Sequence, residues 1–266
     1  MIPLRDNIPS RTVPIVNYAI IGLCLLTFLQ QLAAPELTEQ LAMIPSRVFG
    51  AGREVLIPDL ELVRTVFGVE QRVTMRPVLD ASVPDWLTLL TCTFLHGGWL
   101  HLIGNVWFLW IFGDNVEDRL GHVGYAVFYV GCGVIASAAH LLTAPGSAVP
   151  TVGASGAIAG VMGAYFLLYP GALVVTLIPI VFFLHVVVIP APIFLGIWFL
   201  LQLLQGSFAI GNAQAGGVAW WAHIGGFVAG VATVLLLRRR LRAPTSVRRP
   251  LAERPGHRRI HIVRRR

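Results

Sequence analysis

Six long apolar segments are the feature that most restricts how this chain can fold. A helix needs about 20 predominantly apolar residues to cross the hydrocarbon core of a bilayer. The sequence has 266 residues, of which 56% are hydrophobic and only 12% are charged, whereas an average soluble domain has about 25% charged residues. We therefore predict an all-α polytopic membrane protein with six transmembrane helices. The predicted spans are 13–32, 95–112, 123–142, 149–169, 189–204 and 218–237.

A seventh apolar segment, 172–188, is predicted not to cross the membrane. Pro179 lies inside it, and Pro190 and Pro192 follow it, and proline interrupts a continuous helix. Seven spans would also place the Arg-rich C-terminal segment outside, against the rule that positively charged flanks stay inside. We expect an interfacial or hairpin-like connection on the cytoplasmic side between the fourth and fifth spans.

The arginines indicate the orientation and the division of the chain. All 20 basic residues are Arg, and 12 of them lie in the segment 238–266. Because Arg residues flank the first span on its N-terminal side and the last span on its C-terminal side, both termini are expected in the cytoplasm. The chain then comprises a cytoplasmic N-terminal segment 1–12, a membrane core 13–237 with a large external loop 33–94, and an Arg-rich cytoplasmic tail 238–266.

The Arg-rich tail also predicts a partner. A basic segment directly after an apolar span is typical of contact with anionic lipid headgroups, so we expect a disordered tail on a lipid surface rather than on nucleic acid. The three cysteines, Cys24, Cys92 and Cys132, lie far apart and show no CxxC or Cys/His spacing. They indicate neither a metal site nor a disulfide framework, and no cofactor is expected.

Four polar side chains fall at a similar depth in three of the predicted spans. With the N terminus inside, the second, fourth and sixth spans all run from outside to inside. His101 and Asn105 then lie in the first turns of the second span, Ser155 about six residues into the fourth, and His223 about five into the sixth. At 1.5 Å per residue these positions are about 8–15 Å below the outer helix ends. Since polar groups in hydrocarbon are costly, they predict one functional site that opens outward.

Glycines next to two of these residues indicate how closely the fourth and sixth helices approach. Small residues four positions apart line one helix face and let two backbones come together in lipid. Such a contact would bring Ser155 within hydrogen-bond distance of His223. The residues assigned to helix packing are Gly153, Gly156, Gly160, Gly226 and Gly230.

The residue types suggest roles in acyl transfer. A serine hydroxyl becomes a useful nucleophile when a neighbouring histidine accepts its proton, which predicts Ser155 as nucleophile and His223 as general base. No Asp or Glu falls at a matching depth, so we expect a dyad whose imidazole is held by burial and packing. His101 and Asn105, four residues apart on one helix face, are predicted to form an oxyanion hole with the Ser155 backbone N–H.

In combination, four motifs of this sequence resemble those of the rhomboid family of intramembrane serine proteases. Three of them carry the residues discussed above, and the fourth follows the second span. The motifs are His101-x-x-x-Asn105, Gly153-Ala154-Ser155-Gly156, His223-x-Gly225-Gly226-x-x-x-Gly230 and Glu117-x-Arg119-x-x-Gly121.

The resemblance implies a six-helix rhomboid-like bundle with a water-filled cavity, a first loop that dips into the membrane and a mobile fifth helix. It also implies cleavage of transmembrane protein segments near their outer end and a bacterial inner (plasma) membrane location. The sequence departs from some members at two places. Ala159 stands where those members have a Tyr packed under the catalytic histidine, and the first loop has Asp85-Trp86 instead of a Trp-Arg pair.

Two alternative functions remain open at this point. A catalytically silent rhomboid-like protein would bind transmembrane helices without cutting them, although such proteins usually lack the serine or the histidine. A transporter would use the polar residues as a pathway, but such a path generally continues across the membrane, whereas the polar residues here cluster near one face.

Overall fold

The computed structural model describes residues 1–50, 55–65, 68–180, 183–209 and 218–241. Within these residues the chain is mostly helical, and six long helices correspond one by one to the predicted spans. The all-α membrane bundle is therefore confirmed. The helices are α1 (Ile15–Ala33), α2 (Trp99–Leu120), α3 (His122–Thr143), α4 (Ser155–Leu168), α5 (Ala191–Ala209) and α6 (Trp220–Leu237).

The helices differ in how well each satisfies the length needed to cross a bilayer. By length and composition, α1, α3, α5 and α6 each qualify alone. Helix α2 qualifies together with the helical segment 85–94, from which it is bent by 78°. Helix α4 has only 14 residues, and most of them are buried against its neighbours, so it lies in the middle of the bundle.

Short elements fill the connections. Two short helices, Glu36–Leu41 and Pro45–Gly50, and a helical turn, Thr88–Thr91, lie in the first loop. The strands are β1 (Ile2–Asp6), β2 (Leu56–Thr65), β3 (Gly68–Pro77), β4 (Leu173–Ile180) and β5 (Phe183–Pro190). Strands β2 and β3 form an antiparallel hairpin within the first loop.

The segment 172–188 forms a β-hairpin, which confirms that it is not a seventh transmembrane helix. Strands β4 and β5 pair antiparallel, and β1 adds to the free edge of β4, giving the order β1-β4-β5. Consecutive β-branched residues favour this extended conformation. Since β1 contains the N-terminal residues, the sheet places the N terminus and the α4–α5 connection on the same side of the bundle.

Helix α2 is eight residues longer at its C-terminal end than the predicted span, because its last two turns are buried rather than exposed. Glu117 is 1% exposed and accepts hydrogen bonds from the backbone N–H groups of Val16 and Asn17, at 3.0 and 2.8 Å. A carboxylate in this position satisfies the unpaired N–H groups at the start of α1 and complements its helix dipole. Glu117 therefore fastens α1 to α2.

Glycines bring α4 and α6 into backbone contact. A Cβ atom at Gly226 would overlap the carbonyl oxygen of Gly156, and one at Gly230 would overlap that of Gly160. This approach places the first turn of α4 beside the first turn of α6. Gly153 differs from the expectation for it, because it precedes α4 and takes no part in helix packing.

The first loop is partly structured and is attached to the bundle at several points. Gln31 of α1 hydrogen-bonds both the N–H and the carbonyl of His96, at 2.9 and 3.1 Å. Met43 pairs with Thr151, which lies in the loop before α4. Most of the predicted Arg-rich tail, residues 242–266, lies outside the described residues.

Candidate active site

Ser155 is the first residue of α4. The apolar pattern had instead predicted that it lies about six residues into the fourth span. The segment before it is extended, and the N–H of Gly153 donates to the carbonyl of Cys92 at 2.9 Å. Gly153 has a φ of +133°, which other residues rarely adopt. The chain thus turns abruptly into the helix, and the Ser155 N–H is left among the unpaired donors of the first turn.

Ser155 and His223 lie within hydrogen-bond distance. The Oγ atom of Ser155 is 2.8 Å from Nε2 of His223, the fourth residue of α6. The close glycine contact of α4 with α6 one position beyond Ser155 explains this proximity. A hydroxyl that donates to an unprotonated imidazole nitrogen is the arrangement needed to generate a nucleophile.

A glutamine that the sequence analysis did not single out completes the surroundings of the imidazole. The Oε1 atom of Gln202, on α5, is 2.7 Å from Nδ1 of His223. Gln202 is 6% exposed and is the only described Gln, Asn, Asp or Glu that is hydrogen-bonded to His223. A signal was present in the sequence, because Gln202 is the one polar side chain in the predicted fifth span, 189–204. Such residues are functional candidates by default.

Two tryptophans pack around the same imidazole. The ring centroids of Trp198 and Trp220 lie 5.9 and 6.2 Å from that of His223. Ala159 is fully buried and brings no ring to the site. The imidazole is therefore held by a hydrogen bond and indoles from α5 and α6, and the expectation that burial and packing alone would hold it was incomplete.

His101 lies beside the chain that leads into Ser155. Its Nδ1 accepts a hydrogen bond from the N–H of Gly97 at 3.3 Å. This contact leaves the proton on Nε2, which faces the Gly153 backbone, since a Cβ atom at Gly153 would lie 2.8 Å from Nε2 and 3.5 Å from Oγ of Ser155. Any side chain at residue 153 would fill this space. His101 thus presents a donor next to the serine.

Asn105 presents a second donor, one turn further along α2. Its side chain is buried at 8% exposure. The amide nitrogen Nδ2 has no hydrogen-bond partner within the described part of the chain. An unpaired buried N–H costs about 1–3 kcal/mol, so this atom is suited to a ligand oxygen.

These residues line one large cavity at the end of the bundle where α2, α4 and α6 begin. Its volume is about 1040 Å³, and its wall includes Ser155, His223, His101, Asn105 and Trp198. His140 also lines it, although no pattern in the sequence indicated a place for this residue in the site. His96 is buried nearby, with its ring centroid 5.4 Å from that of His101.

Comparison with known proteins matches residues 83–240, more than half of the chain, to the Rhomboid domain. The chain belongs to the rhomboid family. This rhomboid is 43% identical over 79 residues to Rhomboid-like protein 11, chloroplastic, of Arabidopsis thaliana, which covers 30% of this chain and 28% of that protein. It is also 36% identical over 87 residues to the Putative rhomboid protease YdcA of Bacillus subtilis, covering 33% and 43%.

A third relative of this rhomboid is Rhomboid protease GluP of Bacillus subtilis, 39% identical over 80 residues, 30% of this chain and 15% of that protein. In all three cases the matched segment spans less than half of the relative's length. Two of the relatives are named as proteases. The family and the apolar helices establish a multi-pass membrane protein of a family that includes intramembrane proteases.

Proposed function

We propose that this rhomboid is an intramembrane serine endopeptidase that cuts transmembrane segments of other proteins. The observation that carries the proposal is the 2.8 Å contact between Ser155 Oγ and His223 Nε2 at the wall of a large cavity. A serine in a membrane helix more commonly bonds a backbone carbonyl of its own helix. Ser155 instead bonds the imidazole of another helix, as a nucleophile requires.

The proposed reaction begins with transfer of the Ser155 hydroxyl proton to Nε2 of His223 as Oγ attacks the scissile carbonyl carbon. The carbonyl oxygen becomes negatively charged, and Nε2–H of His101, Nδ2–H of Asn105 and N–H of Ser155 stabilise it. His223 then gives its proton to the leaving amine, which frees one product. A water molecule, deprotonated in turn by His223, hydrolyses the acyl-enzyme and restores the serine.

The position of the cavity, at the end of the bundle where α2, α4 and α6 begin, supports the proposed substrate class. A peptide bond in a regular helix is covered by its own hydrogen bonds and neighbouring side chains, so the substrate segment must unwind before Ser155 reaches its carbonyl carbon. Segments with helix-breaking residues near the outer membrane surface are therefore the preferred substrates. Substrate binds by entering from the bilayer.

The orientation belongs to the same proposal. Both termini lie in the cytoplasm, the loop 33–94 lies outside, and the Arg-rich tail 238–266 rests against anionic headgroups of a bacterial plasma membrane. The pairing of β1 with β4 supports a common side for the N terminus and the α4–α5 connection. Arg238, Arg239 and Arg240 are exposed at the end of α6, consistent with contact with such lipids.

The test is cleavage of a fluorescent single-span reporter by the purified protein in liposomes. Wild type should release product, whereas Ser155→Ala and His223→Ala should lower kcat by about 10⁴-fold or more. Ser207→Ala is the matched control, since the Ser207 hydroxyl bonds a carbonyl of its own helix, and it should cleave like wild type.

The same experiment separates the protease from a silent helix-binding protein. If the folded wild type binds several reporters and cuts none of them, the protease proposal fails. The protein is then a catalytically silent one that binds transmembrane helices. Cleavage that persists in Ser155→Ala would assign the activity to another residue or to a contaminant.

A further inference from the structure

We propose that Gln202 is a positioning residue that fixes the tautomer of His223, so that the site works as a Ser–His–Gln arrangement built from three helices. The inference rests on the proposed function and deepens it by naming a third residue. Gln202 lies on α5, His223 on α6 and Ser155 on α4. The residues are joined in a row by hydrogen bonds of 2.7 and 2.8 Å.

The orientation of the Gln202 amide follows from its second partner. Its Nε2 donates to the backbone carbonyl of Trp198, one helical turn earlier, at 3.4 Å. A carbonyl oxygen only accepts hydrogen bonds, so the amide nitrogen must face Trp198. The amide oxygen Oε1 is then left facing His223.

The orientation of the amide in turn determines where the imidazole proton resides. Oε1 only accepts, so the Nδ1 atom of His223 must carry the proton. In a neutral imidazole the other nitrogen, Nε2, is then an acceptor, and it faces the hydroxyl of Ser155. The opposite tautomer would place two acceptors together at 2.7 Å and would leave no lone pair for the serine proton. Gln202 therefore holds His223 as a base.

The hydrogen bond between Gln202 and His223 is shielded from water. Gln202 is 6% exposed, and the ring of Trp198, on the same face of α5, packs against the imidazole at 5.9 Å between centroids. Water competes poorly for Nδ1 in such a place. Because Gln202 is neutral, it fixes the tautomer without the charge that a triad carboxylate would supply. The imidazolium formed during the reaction is stabilised less than in a Ser–His–Asp triad.

Two substitutions at this position distinguish positioning from packing. Gln202→Met keeps the length of the side chain and removes the acceptor, and should lower kcat for the reporter by about 10- to 100-fold with little change in KM. Gln202→Glu restores an acceptor for Nδ1–H and should keep kcat within about tenfold of wild type. It should also move the acidic limb of the kcat profile to higher pH, since a carboxylate stabilises the imidazolium. Gln205→Met, at an exposed position three residues along α5, is the matched control and should leave kcat and KM unchanged.

A readout that does not depend on cleavage keeps this inference separate from the proposed function. Nitrogen NMR of ¹⁵N-histidine-labelled Ser155→Ala protein reports the tautomer of His223 directly. The signals should show a protonated Nδ1 with Gln202 present and a mixture of tautomers with Gln202→Met. An Nε2-protonated imidazole with Gln202 present, or an unchanged tautomer in Gln202→Met, would overturn the inference. So would equal losses of kcat in the Met and Glu variants with an unmoved acidic limb.

Discussion

The two ends of the helical bundle both bury polar side chains, but among the described residues unpaired buried side-chain atoms line the large cavity at one end only. At the end that carries the N terminus, Glu117 accepts two backbone N–H groups of α1 and contacts His122. Asp118 accepts the N–H groups of Arg11 and Thr12 at 2.6 and 3.1 Å. At the opposite end, Nδ2 of Asn105 and Nδ1 of His140 have no partner within the described part of the chain, and both residues line the large cavity.

The contrast gives a way to separate polar side chains that stabilise a membrane protein from those that form its site. Hydrogen-bonded carboxylates join segments that are distant in sequence, and their contribution is to stability. An unpaired buried donor destabilises the fold by about 1–3 kcal/mol, a cost that a negatively charged oxygen of a bound substrate offsets. Polar burial alone therefore does not mark a site, whereas unpaired polar atoms around a cavity do.

The largest effect is expected at the contact between α4 and α6, next to Ser155 at the cavity end. A Cβ atom in Gly226→Ala would overlap the carbonyl oxygen of Gly156, so the helices must separate. We expect a loss of about 3 kcal/mol or more in the free energy of unfolding, measured by SDS titration in mixed micelles, together with loss of cleavage.

The control for this substitution is Gly131→Ala on α3, where a Cβ atom would meet nothing within 4 Å. It should be neutral or stabilising by up to about 1 kcal/mol, because Ala favours helix over Gly. Equal stability of the Gly226 and Gly131 variants would show that the backbone contact does not hold α4 and α6 together.

The next largest effect is expected for Asn105→Ala at the cavity. Loss of the proposed oxyanion donor should lower kcat by about 10²- to 10³-fold. The free energy of unfolding should stay the same or rise, since an unpaired buried donor has been removed. Ile103→Ala, at a 54% exposed position on the same helix, serves as control for kcat. A clear loss of stability in the Asn105 variant would contradict the comparison.

A smaller effect, and on stability instead of catalysis, is expected for Glu117→Gln at the opposite end. The amide keeps the size of the side chain but loses the charge that strengthens the bonds to the Val16 and Asn17 N–H groups. The free energy of unfolding should fall by about 2 kcal/mol, while kcat of the folded protein stays within twofold of wild type. Glu36→Gln, at an exposed position, should change neither quantity.

The smallest effect is a pH dependence of stability at the same end of the bundle. Burial raises the pKa of Asp6 to about 6, although hydrogen bonds from Tyr165 and Ile8 oppose the shift. At pH values between the ordinary pKa of an aspartate and about 6, Asp6 is therefore protonated in the folded protein but deprotonated in the unfolded chain. Stability should therefore rise by about 1 kcal/mol from pH 7 to pH 5.

Asp6→Asn removes this contribution. The measurement is the difference in free energy of unfolding between wild type and Asp6→Asn at the two pH values. A constant difference would mean that the carboxyl group does not titrate in the folded protein over this range.

Much of the fold was predictable from the sequence. The long apolar segments, 123–142 and 218–237 among them, end within two residues of α3 and α6, because partition into lipid depends on the sum over a whole segment. Helix α4 was predicted six residues too early because the extended chain before Ser155 is apolar as well. This chain is extended and not helical because the N–H of Gly153 bonds the carbonyl of Cys92. No local sequence pattern predicts that bond.

The residue types of the site were predictable, but the hydrogen bonds between residues on different helices were not. Serine and histidine in apolar segments at equal depth indicated a nucleophile and a base. Gln202 was missed because no spacing relates it to His223, 21 positions away, on a different helix. The contact of Glu117 with the start of α1 was missed because its partners precede it by about 100 residues.

The helical class, the spans and the candidate reacting residues of this rhomboid could be predicted from the sequence. Which polar atoms are paired and which are left open to the cavity was decided by the tertiary structure alone. Hydrophobic partition and hydrogen bonding differ in how precisely the residues must be placed. Hydrophobic partition adds up over about 20 residues and tolerates small displacements, whereas a hydrogen bond is made or lost within a few tenths of an ångström.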